Sequence, residues 1–288
     1  MEASIFTQVA LPAVLALIMF GMGLSLEKSD FSRLLKIPKA AIIGLIGQMI
    51  VLPGFAFTLG VLFAEPAIAI GLMILAACPG GTTSNLISHI ARANLALSVT
   101  LTALTTVICV ISTPFIIKAS IGYFEQGTAT DFSLLNTSLS LLVISLVPIA
   151  LGMLVRSRFS KMARRAEPKF RTLSTVFMLL LIAIISYQER EMLLDSFPSV
   201  FIIAFSLNIG ATFLGIALAK LGGLSRKDGL TLGIEVGTQN ATLAILIAAT
   251  FIQVPEYAIA GAVYGVIMYI GAFLLVAGTR LMSPKKAL

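Results

Sequence analysis

Residues 66–92 read PAIAIGLMILAACPGGTTSNLISHIAR, an apolar stretch long enough to cross a lipid bilayer but interrupted near its middle. The interruption is Cys-Pro-Gly-Gly at 78–81, and hydroxyl and amide side chains follow it at 82–85. Proline removes a backbone donor and glycine weakens a helix, so the stretch predicts a helix broken at mid-span. A second interruption, Glu-Val-Gly-Thr-Gln-Asn at 235–240, divides the apolar run 228–253.

The composition of the whole chain indicates an integral membrane protein. Of its 288 residues, 58% are hydrophobic and 11% are charged, whereas a soluble domain carries roughly 25% charged residues. A water-soluble enzyme and a disordered chain are both excluded, because each needs a more polar sequence. The two cysteines, Cys78 and Cys109, lie in apolar runs and are expected to be buried thiols.

Nine apolar runs predict nine transmembrane helices in an all-α fold. The first run is too long for a typical signal peptide and is therefore interpreted as a span. With the N-terminus outside, the cytoplasmic loops contain all but two of the 20 basic residues, the exceptions being Lys118 and Arg190. The positive-inside rule thus predicts an external N-terminus and a cytoplasmic C-terminus, and it explains the net charge of +7 without a nucleic-acid partner. The approximate bounds of the runs are 4–26, 38–63, 66–92, 94–118, 132–156, 170–188, 198–220, 228–253 and 256–281.

Glu235 is the one acidic residue in the interior of a predicted span, away from the span ends. A carboxylate at the centre of a bilayer costs about 2.5–3.5 kcal/mol on insertion scales. No Lys or Arg lies in the interior of a predicted span to pair with it. A bound cation or a proton would compensate its charge. The alternative is a neutral glutamic acid that hydrogen-bonds to a neighbouring helix.

Oxygen-bearing side chains near both breaks favour sodium as the cation. One carboxylate among several uncharged oxygens suits Na⁺, whereas Ca²⁺ sites gather several carboxylates. Zinc is disfavoured because His89 is the only histidine and no cysteine clusters with it. Ser98 and Thr102 share one face of a helix, although each could instead bond to a carbonyl of its own helix. The remaining candidates are Ser84, Asn85, Thr238, Gln239, Asn240 and the backbone carbonyl of Val236.

The two breaks, one in each half of the chain, are typical of a secondary transporter with a binding site at the membrane midplane. The N-termini of half-helices carry partial positive charge, so the site is expected to attract an organic anion. His89, four residues after Asn85, either lines the substrate path or is a hydrogen-bonded packing residue. No GxxxxGK[ST] loop supports an ATP-driven pump.

The interrupted segments resemble the two signatures of the bile acid:sodium symporter family. The first signature is 78–85 with Ala-Leu-Ser-Val at 96–99, and the second is 235–240. The resemblance implies two inverted repeats that form a core domain and a panel domain, with the two broken helices crossing in the core. Bacterial members often have ten spans, and the nine predicted here leave repeats of four and five.

The implied division of the chain follows from these repeats. Residues 1–155 contain the first repeat, and 156–169 form a basic cytoplasmic linker. The second repeat begins at the span 132–156, and its remainder is 170–288.

The resemblance also implies two sodium sites and a substrate site. Val236 and Thr238 would contribute backbone carbonyls, and Gln48 is expected to lie close to Glu235. The first sodium site would use Ser84, Asn85, Ser98, Thr102 and Glu235. The second would use Gln48, Glu235, Val236, Thr238 and Gln239. The substrate would contact Thr82, Thr83 and Asn240, with His89, Met268 and Tyr269 as further candidates.

The implied function is sodium-coupled symport of an organic anion by alternating access, with two Na⁺ as coupling ions. Bile-acid-transporting relatives have a His-Asn pair where this chain has Met268-Tyr269, which weakens the case for bile acid. A small 2-oxo or hydroxy acid such as pantoate or pyruvate is the other substrate class. A proton-coupled transporter using Glu235 and a non-transporting sensor on the same scaffold remain alternatives. An intramembrane enzyme is disfavoured, because one histidine and one glutamate supply neither a nucleophile with its base nor a metal cluster.

The expected surroundings are a lipid bilayer and a small-molecule substrate. Short loops and the absence of a targeting peptide favour the inner membrane of a bacterium, in a multi-pass arrangement. The oligomeric state stays open, and a monomer is compatible with the sequence.

Overall fold

The computed structural model describes residues 11–125, 139–140 and 142–281, with the side chains of 196 and 279–281 outside the description. The described residues are almost entirely helical and contain no strand. The predicted spans 4–26 and 132–156 lie partly outside these residues. The helices are α1 Leu11–Ser25, α2 Lys28–Ser32, α3 Pro38–Phe63, α4 Pro66–Ala77, α5 Thr82–Ile90, α6 Leu95–Phe124, α7 Val147–Arg158, α8 Ser160–Gln188, α9 Arg190–Leu221, α10 Arg226–Gly237, α11 Ala241–Leu246 and α12 Ala258–Leu281.

Short irregular turns adjoin several of these helices. A π-helical turn, Gly47–Val51, interrupts α3. Further π-helical segments, Leu142–Leu146 and Ile247–Ile252, lead into α7 and extend α11. Single 3-10 turns follow α2 at Arg33–Leu35 and precede α12 at Pro255–Tyr257.

Five helices of the described part are long and apolar enough to cross a membrane. A sixth span results if Leu11–Ser25 and Lys28–Leu35, which are bent by 67°, count as one. The halves of the broken segments are shorter apolar helices, Pro66–Ala77 and Ala241–Ile252 among them. The multi-pass membrane character is therefore clear, while the count of nine spans stays a prediction. The five are Pro38–Phe63, Leu95–Phe124, Ser160–Gln188, Phe197–Leu221 and Pro255–Gly278.

Both helix breaks fall where the sequence places them. Helix α4 ends at Ala77 and α5 begins at Thr82, so Cys-Pro-Gly-Gly forms the non-helical connection. Helix α10 ends at Gly237, and Thr238 has the extended angles φ −125° and ψ 105°. The chain becomes helical again at Ala241, in α11.

The helices pack in two groups. Helix α1 packs mainly against α7 and α8, and these three helices form the first group. In the second group, α9 packs against α10 and α12, while α4 packs against α3 and α6. The broken segments lie within the second group. The boundary between the groups runs along α1 and α8 on one side and α11 and α12 on the other.

Glycines bring α1 and α7 into close contact. A Cβ atom added at Gly23 would lie 2.2 Å from the carbonyl oxygen of Ile149, and one at Gly152 would lie 2.3 Å from that of Phe20. A real side chain at either position would force the two backbones apart. The pair therefore depends on glycine at these two sites.

We expect Gly152→Ala to lower the thermal unfolding midpoint of the detergent-purified protein. Overpacking of this kind typically costs about 1–3 kcal/mol. Gly54→Ala in α3 is the matched control, because an added Cβ there meets no atom within 4 Å. Alanine should raise stability at Gly54 by about 0.5–1 kcal/mol, since it is the better helix former. An equal effect of the two substitutions would refute the close-packing account.

Candidate functional site

The two non-helical connections pair with each other. Gly80 and Gln239 form an isolated antiparallel β-bridge. The backbone N–H of Asn240 donates to the carbonyl oxygen of Pro79 at 3.0 Å. Each break thereby supplies backbone partners to the other, which a low-dielectric membrane interior requires. We refer to this paired region, 78–81 with 238–240, as the crossover.

Helices α6 and α10 are tied together where they begin. Asn94 caps α6 through its side chain, and its Nδ2 donates to Asp228 Oδ1 at 2.8 Å. The backbone N–H of Asn94 also donates to Thr231 Oγ1 at 2.9 Å. Ser225 caps α10 and forms a capping box with Asp228. These contacts fix the register in which α6 faces α10.

The carboxylate of Glu235, on α10, is fully buried and faces α6. Ser98 Oγ donates to Oε1 of Glu235 at 2.5 Å, and Thr102 Oγ1 donates to Oε2 at 3.1 Å. None of the ion pairs found in the described residues includes Glu235. Within those same residues, no three His, Cys, Asp or Glu side chains cluster to hold a metal. A single carboxylate is thus surrounded by neutral oxygens.

Asn85 and Ser84 complete this oxygen cluster from α5. Ser98 Oγ lies 2.8 Å from Asn85 Oδ1, and Thr102 Oγ1 lies 3.5 Å from the same atom. Ser84 Oγ lies 3.5 Å from Thr102 Oγ1 and donates to the carbonyl oxygen of Gly81 at 2.8 Å. The five residues proposed by resemblance for the first sodium site therefore lie together. Thr102 Oγ1 also lies 3.1 Å from the carbonyl oxygen of Ser98, so this hydroxyl hydrogen-bonds within α6 as well.

Two buried glutamines lie on the other side of Glu235. Gln48 Nε2 donates to the carbonyl oxygen of Glu235 at 2.7 Å, and Gln239 Nε2 donates to that of Val236 at 3.0 Å. The Oε1 atom of each glutamine is buried and has no hydrogen-bond partner. Gln48 lies in the π-helical turn of α3, and such turns are frequent at functional sites. No local pattern marks Gln48, and only the resemblance pointed to it.

The side chains of Glu235 and Gln48 and the carbonyl of Thr238 all lie close to Gly80. A Cβ atom built on Gly80 would lie 3.1 Å from Glu235 Oε2, 3.3 Å from Gln48 Nε2 and 3.7 Å from the carbonyl oxygen of Thr238. The carboxylate, the amide and the carbonyl therefore surround one small volume. Glycine at this position keeps that volume free of a side chain.

A narrow cleft, with a cavity volume of about 40 Å³, lies beside the crossover, between the two helix groups. The predicted substrate residues Thr82, Thr83, Asn240, Met268 and Tyr269 line it from the second group. Helices α1 and α8 close the opposite wall. His89 is exposed near the end of α5 and is absent from the lining of this cleft.

The cleft also contains an ion pair that sequence reasoning missed. Arg171 Nη1 lies 3.6 Å from Glu167 Oε1, and both side chains line the cleft. Their spacing of four residues on α8 was the available signal. The sequence places Glu167 in the basic linker and Arg171 at the start of a span, and neither position by itself indicates a site.

Residues 12–196 match the profile of the Sodium Bile acid symporter family. The chain belongs to this family. The match covers well over half of the chain and includes the first broken segment, together with Ser98 and Thr102. Membership supports a sodium-coupled transporter, and it agrees with the expectation that the chain is not an enzyme.

Relatives from three kingdoms of life extend the match to almost the full chain. The sodium-dependent transporter YocS of Bacillus subtilis, itself uncharacterized, is 32% identical over 266 residues, which covers 91% of this chain and 81% of the relative. The probable sodium/metabolite cotransporter BASS1 of Arabidopsis thaliana chloroplasts is 31% identical over 273 residues, or 94% of this chain and 67% of the relative. The human ileal sodium/bile acid cotransporter is 28% identical over 246 residues, or 83% and 69%. Each of these names includes sodium, whereas the cotransported molecule is a metabolite in the second, bile acid in the third and unnamed in the first.

Proposed function

We propose that this protein is a sodium:organic-anion symporter that imports its substrate by alternating access. One observation carries the proposal: a fully buried carboxylate, with no basic partner among the described residues, lies among neutral oxygens at the crossover and beside the cleft. A buried charge of this kind needs a counter-charge. Sodium at the crossover would supply it, and the cleft would hold the anion.

The residues around Glu235 fit two sodium ions. Ser84, Asn85, Ser98 and Thr102 would hold the first ion with one carboxylate oxygen. The second ion would use Gln48, Gln239 and the carbonyl oxygens of Val236 and Thr238, again with Glu235. Rotating each glutamine amide by half a turn exchanges the positions of Oε1 and Nε2. The oxygen would then lie where the amide nitrogen now donates to the backbone carbonyl oxygens of Glu235 and Val236. The buried, unpartnered Oε1 atoms of both glutamines support this assignment.

The chemistry of the cleft lining suits a small organic acid. Thr82, Thr83 and Asn240 offer hydroxyl and amide groups beside the crossover, and Arg171 offers a cation opposite them. Met268 and Tyr269 add apolar surface to this lining. We propose a 2-oxo or hydroxy acid such as pyruvate or pantoate in preference to a bile acid.

The two helix groups suit a transport cycle in which one group moves against the other. The first group, α1, α7 and α8, would form the panel domain, and the second group would form the core domain. Because the cleft lies at their boundary, such a movement would expose it to alternate sides of the membrane. We propose that the N-terminus lies outside and the C-terminus in the cytoplasm of a bacterial inner membrane.

Uptake into proteoliposomes tests this function. We expect labelled pyruvate or pantoate to accumulate only when an inward Na⁺ gradient is imposed, with K⁺ as the control ion. Two Na⁺ with one monoanion carry one net positive charge, for which 100 mV supplies about 2.3 kcal/mol. Substrate addition should therefore produce an inward current.

Two results would favour a different function. Uptake driven by a pH gradient without sodium would establish a proton-coupled transporter. Binding of sodium and an organic anion without uptake would establish a sensor.

A further inference from the structure

The last carbonyl of α10 is held by side chains from two other helices. Asn208 Nδ2, on α9, donates to the carbonyl oxygen of Gly237 at 2.7 Å. The hydroxyl of Tyr264, on α12, donates to the same oxygen at 2.8 Å. A carbonyl at the end of a helix has no partner within that helix, so these two bonds replace the missing one. Both side chains are almost completely buried.

Close packing leaves Asn208 little freedom to move. A Cβ atom built on Gly271 would lie 1.9 Å from Asn208 Oδ1, so only glycine there admits this side chain. Asn208 Nδ2 also lies 3.4 Å from the hydroxyl oxygen of Tyr264. Thr212, one turn after Asn208 on α9, also lies against Gly237, since a Cβ atom built on Gly237 would lie 2.2 Å from Thr212 Oγ1. The Gly237 peptide is therefore held between α9 and α12.

Gly237 lies between the two backbone groups of the proposed second sodium site. Val236 precedes it and Thr238 follows it, and both would contribute carbonyl oxygens. Fixing the peptide plane at Gly237 restricts how far either carbonyl can rotate. Neither Asn208 nor Tyr264 is assigned as a sodium ligand.

We propose that Asn208 and Tyr264 are positioning residues for sodium: their hydrogen bonds to Gly237 orient the neighbouring carbonyls toward the ion. This inference rests on the proposed function, because it concerns the affinity of the same sodium site. The two side chains act through the backbone and leave the cleft unchanged. Their loss should therefore alter the sodium requirement and not substrate binding at saturating sodium.

The first broken helix contains a comparable contact that serves as a control. Thr113 Oγ1, on α6, donates to the carbonyl oxygen of Ala77 at 2.6 Å. Ala77 is the last residue of α4, as Gly237 is the last residue of α10. The carbonyl of Ala77 has no place in either proposed sodium site. Thr113→Val thus removes a similar buried bond without disturbing a proposed ligand.

The test compares Tyr264→Phe and Thr113→Val with the unaltered protein. The sodium concentration for half-maximal thermal stabilisation is measured in detergent, with ionic strength held constant by K⁺. Tyr264→Phe should raise it roughly three- to tenfold, the range expected from one hydrogen bond. Thr113→Val should change the sodium concentration for half-maximal stabilisation by less than about twofold. Asn208→Ala should act in the same direction as Tyr264→Phe.

Three outcomes would overturn the inference. An unchanged sodium requirement in Tyr264→Phe would show that the bond positions nothing. An equal rise in Thr113→Val would show a general loss of rigidity. A raised KM for substrate at saturating sodium in Tyr264→Phe would place its effect in the cleft. Absence of any sodium effect in the unaltered protein is a separate result, which would contradict the proposed function itself.

Discussion

Replacing Glu235 by glutamine is expected to abolish stabilisation by sodium and to stop sodium-driven uptake. The same carboxylate serves both proposed ions, so one substitution removes the only acidic ligand of each. For the unaltered protein, sodium at 100 times its dissociation constant should add about 2.7 kcal/mol of stability. The measurement is the thermal unfolding midpoint in Na⁺ against K⁺ at several pH values.

The stability of the variant in K⁺ separates lost binding from misfolding. Glutamine removes a charge that burial makes unfavourable, so Glu235→Gln should be at least as stable as the unaltered protein without sodium. Glu65→Gln is the matched control, because Glu65 is exposed beside α4 and the chemical change is the same. It should keep the full sodium response. A sodium response that survives in Glu235→Gln would contradict both proposed sites.

Replacing Gly80 by alanine is expected to weaken sodium binding strongly. The new methyl group would lie 3.1 Å from Glu235 Oε2 and 3.3 Å from Gln48 Nε2, in the volume assigned to the second ion. Overpacking of about 1–3 kcal/mol corresponds to roughly five- to 150-fold weaker binding if it acts on the sodium-bound form. Sodium titration of the unfolding midpoint measures this change.

The neighbouring glycine supplies the control for this substitution. A Cβ atom built on Gly81 has its nearest contact at 3.9 Å, with the backbone nitrogen of Thr83. Gly81→Ala should therefore bind sodium nearly as well as the unaltered protein. Equal sodium affinities of Gly80→Ala and Gly81→Ala would show that the volume beside Gly80 holds no ion.

The helix breaks and the buried carboxylate could be read from the sequence because each has a local cause. Cys-Pro-Gly-Gly ends α4, whereas the single prolines Pro114, Pro168 and Pro198 lie inside continuous helices. Helix α10 ends at Gly237, before the polar residues Thr238, Gln239 and Asn240. Glu235 was recognisable because a charge in an apolar run is costly in any fold. The residue types alone therefore indicated where the breaks and the buried carboxylate lie.

The partners of these features could not be read in the same way. Gln48 reaches Glu235 from a distant part of the chain, and Asn208 reaches Gly237 from another helix. Helix packing creates these contacts, and no spacing in the sequence encodes them. His89 was a substrate-path candidate because it lies one turn after Asn85. In the structure its side chain is exposed and does not line the cleft.

Equilibrium binding of radioactive sodium to the purified protein, without substrate, tests the central claim most directly. We expect saturable binding of two sodium ions per chain that excess unlabelled Na⁺ displaces and K⁺ does not. Binding that fails to saturate, or that K⁺ displaces equally well, would contradict a sodium site at the crossover.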